Sequence, residues 1–215
     1  LILTNSRNAW AIAAGACFIF AIYVGWRWLI AVVGFVVGAI LAAAFAPIPI
    51  QQPLRTIIPA FFWARITDDL YPNRPVSTLR TTQWEFAWSL MQQRPILGWG
   101  LRNFTPLYKA QTGFILGHPH NLPLMLLAEV GIPATVLFLG LVSWVLAAGI
   151  QYWRTLPNES GDRLIYFSFL IAFCSISIFS LFDVTLFDAR VNILGWMLLI
   201  GIWGLANAEK PKIER

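Results

Sequence analysis

Gly117-His118-Pro119-His120-Asn121-Leu122-Pro123 runs directly into Leu124-Met125-Leu126-Leu127, so a long mixed segment here gives way to an apolar one. His118 and His120 are the chain's two histidines. Asn121 suits a helix N-cap, because its side-chain oxygen accepts an amide of the first turn. Pro123 suits that first turn, where its missing amide leaves nothing unsatisfied. A helix therefore starts here. Its free amides and positive dipole end are expected to face the histidines, favouring a bound anion and disfavouring a protonated imidazole. A neutral imidazole beside an anion site suits a general base. The alternative is a polar loop that only caps a helix.

Outward from this junction the chain is overwhelmingly apolar. Of 215 residues, 58% are hydrophobic and 12% charged, with eleven Trp, and the mean hydropathy is +0.67. Several runs approach the ~20 apolar residues that cross a bilayer, which excludes a soluble layered core. We read an all-α polytopic membrane protein of about five spans. Leu1 is not Met and no charged leader with a cleavage site precedes the first apolar run, so the chain is expected to be part of a longer polytopic protein. Cys17 and Cys174 fall inside apolar runs and should pack as small apolar groups. The net charge of +5 comes from arginines scattered among spans, not from a basic soluble domain, so no nucleic-acid partner is expected.

In order, residues 1–46 read as a two-span hairpin, with span one over Ala9–Gly25 and span two over Leu29–Ala46 joined through Trp26-Arg27-Trp28. Residues 47–119 read as one long extracytoplasmic loop with seven basic residues against three acids, net +4. Within it, Leu54 to Ile66 mixes arginine with aromatic and aliphatic residues and suits the interface plane. Ser77 is the expected N-cap of a second loop helix reaching Gln93, on which Arg80, Trp84 and Trp88 share a face. Residues 120–207 read as three spans: one within Asn121–Trp153 kinked at Pro133, one over Leu164–Phe182 and one over Val191–Ala206. If continuous, the first of these would be ~50 Å long, well beyond the ~30 Å hydrocarbon core, so its first turns should protrude. Residues 208–215 form a charged cytoplasmic tail.

Short-loop cations set the orientation. Arg27, Arg154, Arg163, Lys210, Lys212 and Arg215 share one side, against Arg7 and Arg190 on the other. The cation-rich side is expected to be cytoplasmic, which places the long loop and both histidines outside.

That outer face collects Arg7, Arg80, His118, His120, Asp183, Asp188 and Arg190. The arginine fork matches a diphosphate, and a neutral histidine can take a proton from an incoming hydroxyl. Together they describe glycosyl transfer without a metal or other cofactor. The plainer alternatives are that Arg7 marks a span end, that Arg80 snorkels from an amphipathic helix, and that Asp188 pairs with Arg190 at a surface turn. Glu129, near a kinked, mostly apolar helix, should be buried against a partner or protonated. A metal site has little support in the linear order, where the acids nearest the histidines are Glu129 and Glu85. The chain has neither a GxxxxGK loop nor a GxSxG elbow.

These features together resemble the O-antigen ligase and polymerase superfamily of bacterial envelope glycosyltransferases. The resemblance lies in Thr4-Asn5-Ser6-Arg7-Asn8-Ala9-Trp10 opening a span, and in Arg80, Trp84, Pro95, Gly98, Gly100 and Phe104 in the long loop. It continues in His120-Asn121, with Gly131 ten residues after Asn121. The match is to the C-terminal, catalytic part of such a protein. It implies that His120 is the essential histidine and that Arg7 and Arg80 grip the diphosphate of a polyprenyl-linked glycan; His118, Asn121, Glu129, Asp188 and Arg190 are expected in support. It also implies the bacterial inner membrane, or a cyanobacterial internal one, as the location. Further spans or membrane subunits would be its partners. Gly117-His118-Pro119-His120-Asn121 and Thr185-Leu186-Phe187-Asp188-Ala189-Arg190-Val191-Asn192 are most similar to a cyanobacterial branch named for bicarbonate transport or inorganic-carbon accumulation. That name implies transport as the alternative function, and a non-catalytic subunit of a membrane assembly is a third.

Overall fold

The protein, as a computed structural model, is described over residues 7–67, 75–184 and 188–208. Asp68, Asp69 and Arg74 of the long loop, Thr4–Ser6, Thr185–Phe187, and the tail cations Lys210, Lys212 and Arg215 lie outside the described residues. Nine α-helices and no strand occur among the described residues: α1 (Arg7–Val24), α2 (Arg27–Phe45), α3 (Ile48–Ile57), α4 (Ala60–Ile66), α5 (Arg80–Gln93), α6 (Phe104–Thr112), α7 (Leu122–Thr155), α8 (Gly161–Phe179) and α9 (Ala189–Asn207). The fold is all-α. Four of them, α2, α7, α8 and α9, are long and apolar enough to cross a membrane, and Asn8–Val24 is a shorter apolar helix. This is a multi-pass membrane protein. Cys17 and Cys174 are free.

The chain divides into two units, residues 13–76 and residues 1–12 with 77–215. In the first, α2 ends on the buried pair Ala43 and Ala44, followed by Pro47. Two such small side chains leave room for polar side chains to reach the backbone: Gln51 Nε2 donates to the Ala44 carbonyl at 3.0 Å and Arg55 Nε to the Ala43 carbonyl at 2.8 Å. The Leu54–Ile66 stretch holds the end of α3 and all of α4, parted where Pro59 follows Ile58 and disfavours helical backbone there. Trp63 bridges the break, its Nε1 donating to the Ile58 carbonyl at 3.2 Å while the Arg55 guanidinium lies 3.9 Å from its ring centroid.

The second unit has two cores. In one, Ala87 of α5 and Ala128 of α7 are fully buried, and Phe86, Leu90, Phe104 and Tyr108 pack around them. Phe86 meets Phe104 and Tyr108 edge-on at 5.7 and 5.2 Å, contacts of about 0.5–1.5 kcal/mol each beyond area burial. Tyr108 donates its hydroxyl to the Ser77 carbonyl at 2.6 Å, so Ser77 serves α6. It does not cap α5: the capping position is Leu79, with no side-chain bond, because a 3-10 turn over Val76–Thr78 delays the helix until Arg80. The other core joins α7, α8 and α9 through Val145, Tyr166, Leu170, Phe173, Leu199 and Ile202. Gly149 allows the close approach, since a Cβ there would lie 2.5 Å from Ile202 Cγ2.

α7 is broken at Gly131, where φ is 81° and ψ 174°. The expected kink at Pro133 is therefore two residues too late, and Pro133 sits in the first turn of the second segment. Three hydrogen bonds explain the break. A continuous helix would send the Ile132 N–H to Ala128 and leave the Glu129 carbonyl without the N–H that Pro133 lacks. Instead Ile132 N donates to the Pro95 carbonyl at 2.7 Å, Trp99 N to Ala128 at 2.9 Å and Gly100 N to Glu129 at 2.8 Å. The Pro95–Gly100 turn thus fills the gap in the helix. A Cβ on Gly131 would sit 2.2 Å from the Ile96 carbonyl oxygen, and one on Gly98 would sit 2.4 Å from the Glu129 carbonyl carbon. The first segment is ~14 Å long and the second ~36 Å, so the second alone can span the hydrocarbon while the first projects beyond it.

Candidate functional site

The residues 117–121 preceding α7 are held from three directions. From α5, Trp84 Nε1 donates to the Pro119 carbonyl at 2.9 Å. From α6, Thr105 Oγ1 donates to the Gly117 carbonyl at 2.9 Å. From the turn after α8, the Leu181 carbonyl accepts from Asn121 Nδ2 at 3.1 Å and the Ser180 carbonyl from Leu122 N at 2.8 Å. These contacts fix His120 in left-handed backbone, at φ 52°, which a non-glycine residue adopts only when its surroundings impose it.

Asn121 is the N-cap of α7 as expected, accepting from Leu124 N at 2.9 Å, and Pro123 lies in the first turn. The anion site expected at this helix end is not formed. The Leu122 amide is taken by Ser180, Pro123 has none, the Leu124 amide is taken by the Asn121 side chain and the Met125 amide by the Asn121 carbonyl. With every first-turn donor used by the protein, the helix end offers no N–H to a ligand.

The negative group that does meet the histidines is Asp183. His120 Nδ1 lies 3.1 Å from Asp183 Oδ1, and His118 Nε2 lies 3.8 Å from the same oxygen. Val184 N donates to that carboxylate at 2.8 Å. The bond from His120 holds the Asp183 carboxyl below its ordinary range, with help from Val184 and the histidine charges and against half-burial. An ionised carboxylate only accepts, so His120 Nδ1 carries a proton, and in the neutral tautomer of this imidazole Nε2 is the lone-pair nitrogen. His118 Nδ1 in turn accepts the His120 backbone N–H at 3.3 Å. Burial, followed by the neighbouring His120, pushes the His118 pKa down, and Asp183 only partly offsets this. His118 is accordingly neutral near pH 7, with its proton on Nε2.

The other expected site residues fall as follows. Arg80 is exposed at the start of α5, one turn before Trp84. The Arg7 side chain lies outside the described residues, but Asn8 Nδ2 donates to the Phe182 carbonyl at 3.4 Å, which brings the start of α1 beside Asp183. Glu129 is buried and does have a polar partner, since its Oε1 accepts the Phe104 N–H at 3.2 Å and caps α6 where Asn103 contributes no side-chain cap. It supports α6, and through Thr105 the histidine loop, and it does not stand in the cluster. Asp188 bonds the backbone of Arg190, at 3.0 Å, and of Val191, as the N-cap of α9; its carboxylate serves amides there, not the Arg190 guanidinium.

Asp183 is the candidate site residue that linear order underweights. The acids near the histidines in sequence are Glu129 and Glu85, whereas Asp183 is 63 positions from His120. Its signal is its place just past the end of α8, on the face assigned to the histidines. His118, His120 and Asp183 form a group of three potential metal ligands, their donor atoms all within 4.8 Å of one another.

α7, α8 and α9 line a cleft of ≈ 330 Å³ whose wall includes Leu122 and Pro123, just after the histidine loop in the chain, and Ser180 and Leu181, just before Asp183. Its wall is nearly all apolar, with Ser143, Ser177, Ser180 and Asn192 as its polar side chains.

Fold and site together define a class: a multi-pass helical membrane protein with a carboxylate-paired histidine whose chain neighbours line an apolar cleft. The O-antigen ligase family matches residues 1–139, which include Arg80 and both histidines. The chain belongs to that family, and its general function is glycosyl transfer of the ligase or polymerase type on lipid-linked glycans in a membrane. No curated protein and no solved structure matches it.

Proposed function

We propose that this protein transfers a glycan from a polyprenyl-diphosphate carrier to an acceptor hydroxyl at the outer face of the bacterial inner membrane. The observation that carries this reading is the His120–Asp183 pair, whose chain neighbours Leu122 and Leu181 line an apolar cleft. In the proposed step the acceptor oxygen bonds to the anomeric carbon as the bond from that carbon to the diphosphate breaks. The hydroxyl proton passes to His120 Nε2, and the diphosphate leaves on the polyprenyl chain. Asp183 orients the imidazole and stabilises it once protonated. Arg7 and Arg80 bind the diphosphate, whose charge rises as it departs. The cleft, at the low end of ligand-site volumes, takes the first part of the polyprenyl chain and leaves the remainder to the bilayer. His118, Asn121, Glu129, Asp188 and Arg190 support this arrangement by holding backbone and charge around it.

The test is glycan transfer by purified protein in micelles, with a polyprenyl-diphosphate glycan and a hydroxyl acceptor. His120→Ala should lower the rate by about 10²–10⁴-fold. Arg80→Ala should mainly raise the donor concentration needed. A folded His120→Ala protein that transfers at the wild-type rate would remove the proposed base.

A further inference from the structure

The histidine cluster presents more than a general base needs. One carboxylate is enough to orient His120, yet a second imidazole also faces Asp183, and all three donor atoms lie within 4.8 Å of one another. The two rings stand at 74° with centroids 4.5 Å apart, so one meets the other edge-on and they do not stack. Three ligands around a tetrahedral zinc ion, each about 2.0–2.2 Å from it, lie roughly 3.3–3.5 Å from one another. The 3.1 and 3.8 Å separations already bracket that spacing. Two imidazoles and one carboxylate suit zinc better than magnesium or calcium, which prefer oxygen ligands throughout.

We propose that His118, His120 and Asp183 form an inhibitory zinc site, in which the ion displaces the proton that links His120 to Asp183 and so disables the base. The metal takes Nδ1 of His120, Nε2 of His118 and an oxygen of Asp183, with a fourth position open to water. Each imidazole stays neutral. On His120 the N–H moves from Nδ1 to Nε2, and the nitrogen that would accept the acceptor's proton no longer has a lone pair. On His118 the N–H moves from Nε2 to Nδ1, which gives up the 3.3 Å bond now accepted from the His120 amide. That loss, together with only three protein ligands, makes the site a reversible one, cleared by a chelator, unlike a closed four-ligand structural zinc. The inhibitory role rests on the glycosyl-transfer reading above; the metal site itself does not.

The experiment uses the purified chain in micelles, stripped with EDTA and titrated with Zn²⁺ alone. We expect one zinc per chain, and at least tenfold weaker binding in both His118→Ala and Asp183→Asn. X-ray absorption at the zinc edge should show two imidazole nitrogens bound to the ion. Circular dichroism checks that each variant is folded, and the two variants remove different ligands, so a folding failure in one leaves the other as a test. Glycan transfer should fall with the same half-saturation as binding and recover with EDTA. Absence of stoichiometric zinc, or affinity unchanged in both variants, would overturn the site. Zinc that binds there and leaves the rate unchanged, or raises it, would overturn the inhibitory role. The two readings also fail separately. Transfer that needs His120 in a protein that binds no zinc removes only the metal site, whereas zinc bound by these residues in a protein inactive with or without EDTA removes the transfer reading and its inhibition.

Discussion

The backbone N–H of Ile132 donates to the carbonyl of Pro95 at 2.7 Å, so the loop turn preceding α6 completes a hydrogen-bond ladder that α7 leaves open. The Pro95–Gly100 turn and α7 are thereby one structure, and Gly98 and Gly131, both at positive φ, allow their close approach.

Gly131→Ala should destabilise the protein by more than about 1 kcal/mol, because its φ of 81° disfavours any side chain and the new Cβ would meet the Ile96 carbonyl. Pro133→Ala should cost less, since first-turn proline is dispensable and the Glu129 carbonyl already accepts from Gly100. Thermal unfolding in detergent ranks the two. A larger loss for Pro133→Ala would mean that the proline, not the glycine, sets the break.

Glu129→Ala should cost about 1–3 kcal/mol by leaving the buried Phe104 amide without its acceptor. Glu129→Gln keeps an oxygen for that amide and should lose less. Amide exchange at the start of α6 reports the difference, and equal protection in both variants would refute the cap.

Asp183 makes the stability depend on pH. The hydrogen bond from His120 is the main reason its carboxyl lies below the ordinary 3.8. A carboxyl depressed on folding stabilises the protein above its unfolded value, and that contribution disappears as pH falls through the folded value. The melting temperature of the parent should therefore exceed that of Asp183→Asn near neutral pH, and the gap should close below about pH 4. A gap that stays constant into acid would show that ionisation of Asp183 contributes nothing.

Gly195 lines the apolar cleft, and a Cβ at that position would have Ile176 Cγ2 as its nearest neighbour, at 3.9 Å, so a side chain can start there without a clash. Gly195→Phe should fill part of the cleft and raise the KM for a long-chain donor roughly tenfold, while a short-chain analogue reacts as before. Equal kinetics for both donors in this variant would disconnect the cleft from the lipid.

The apolar runs were legible from the sequence by themselves, because length and hydropathy alone decide which helices can cross a bilayer, and α1, α2, α8 and α9 begin and end within about three residues of their expected limits. The Asn121 cap was legible for a related reason: it joins residues three apart. The histidines were legible as candidates by residue type and by their place at the start of a span, and Arg80 by its charge on a loop helix. Tertiary structure alone decided what each of these groups meets. The turn after α8 took the Leu122 amide, Asn121 took those of Leu124 and Met125, and the same turn brought Asp183 to His120 across 63 residues. It was likewise packing that moved the break in α7 from Pro133 to Gly131, since only a neighbouring turn could supply the partners that a broken helix requires. A cap or a span is specified by neighbours along the chain, whereas a buried amide or carboxylate takes whichever partner the packed helices bring within reach.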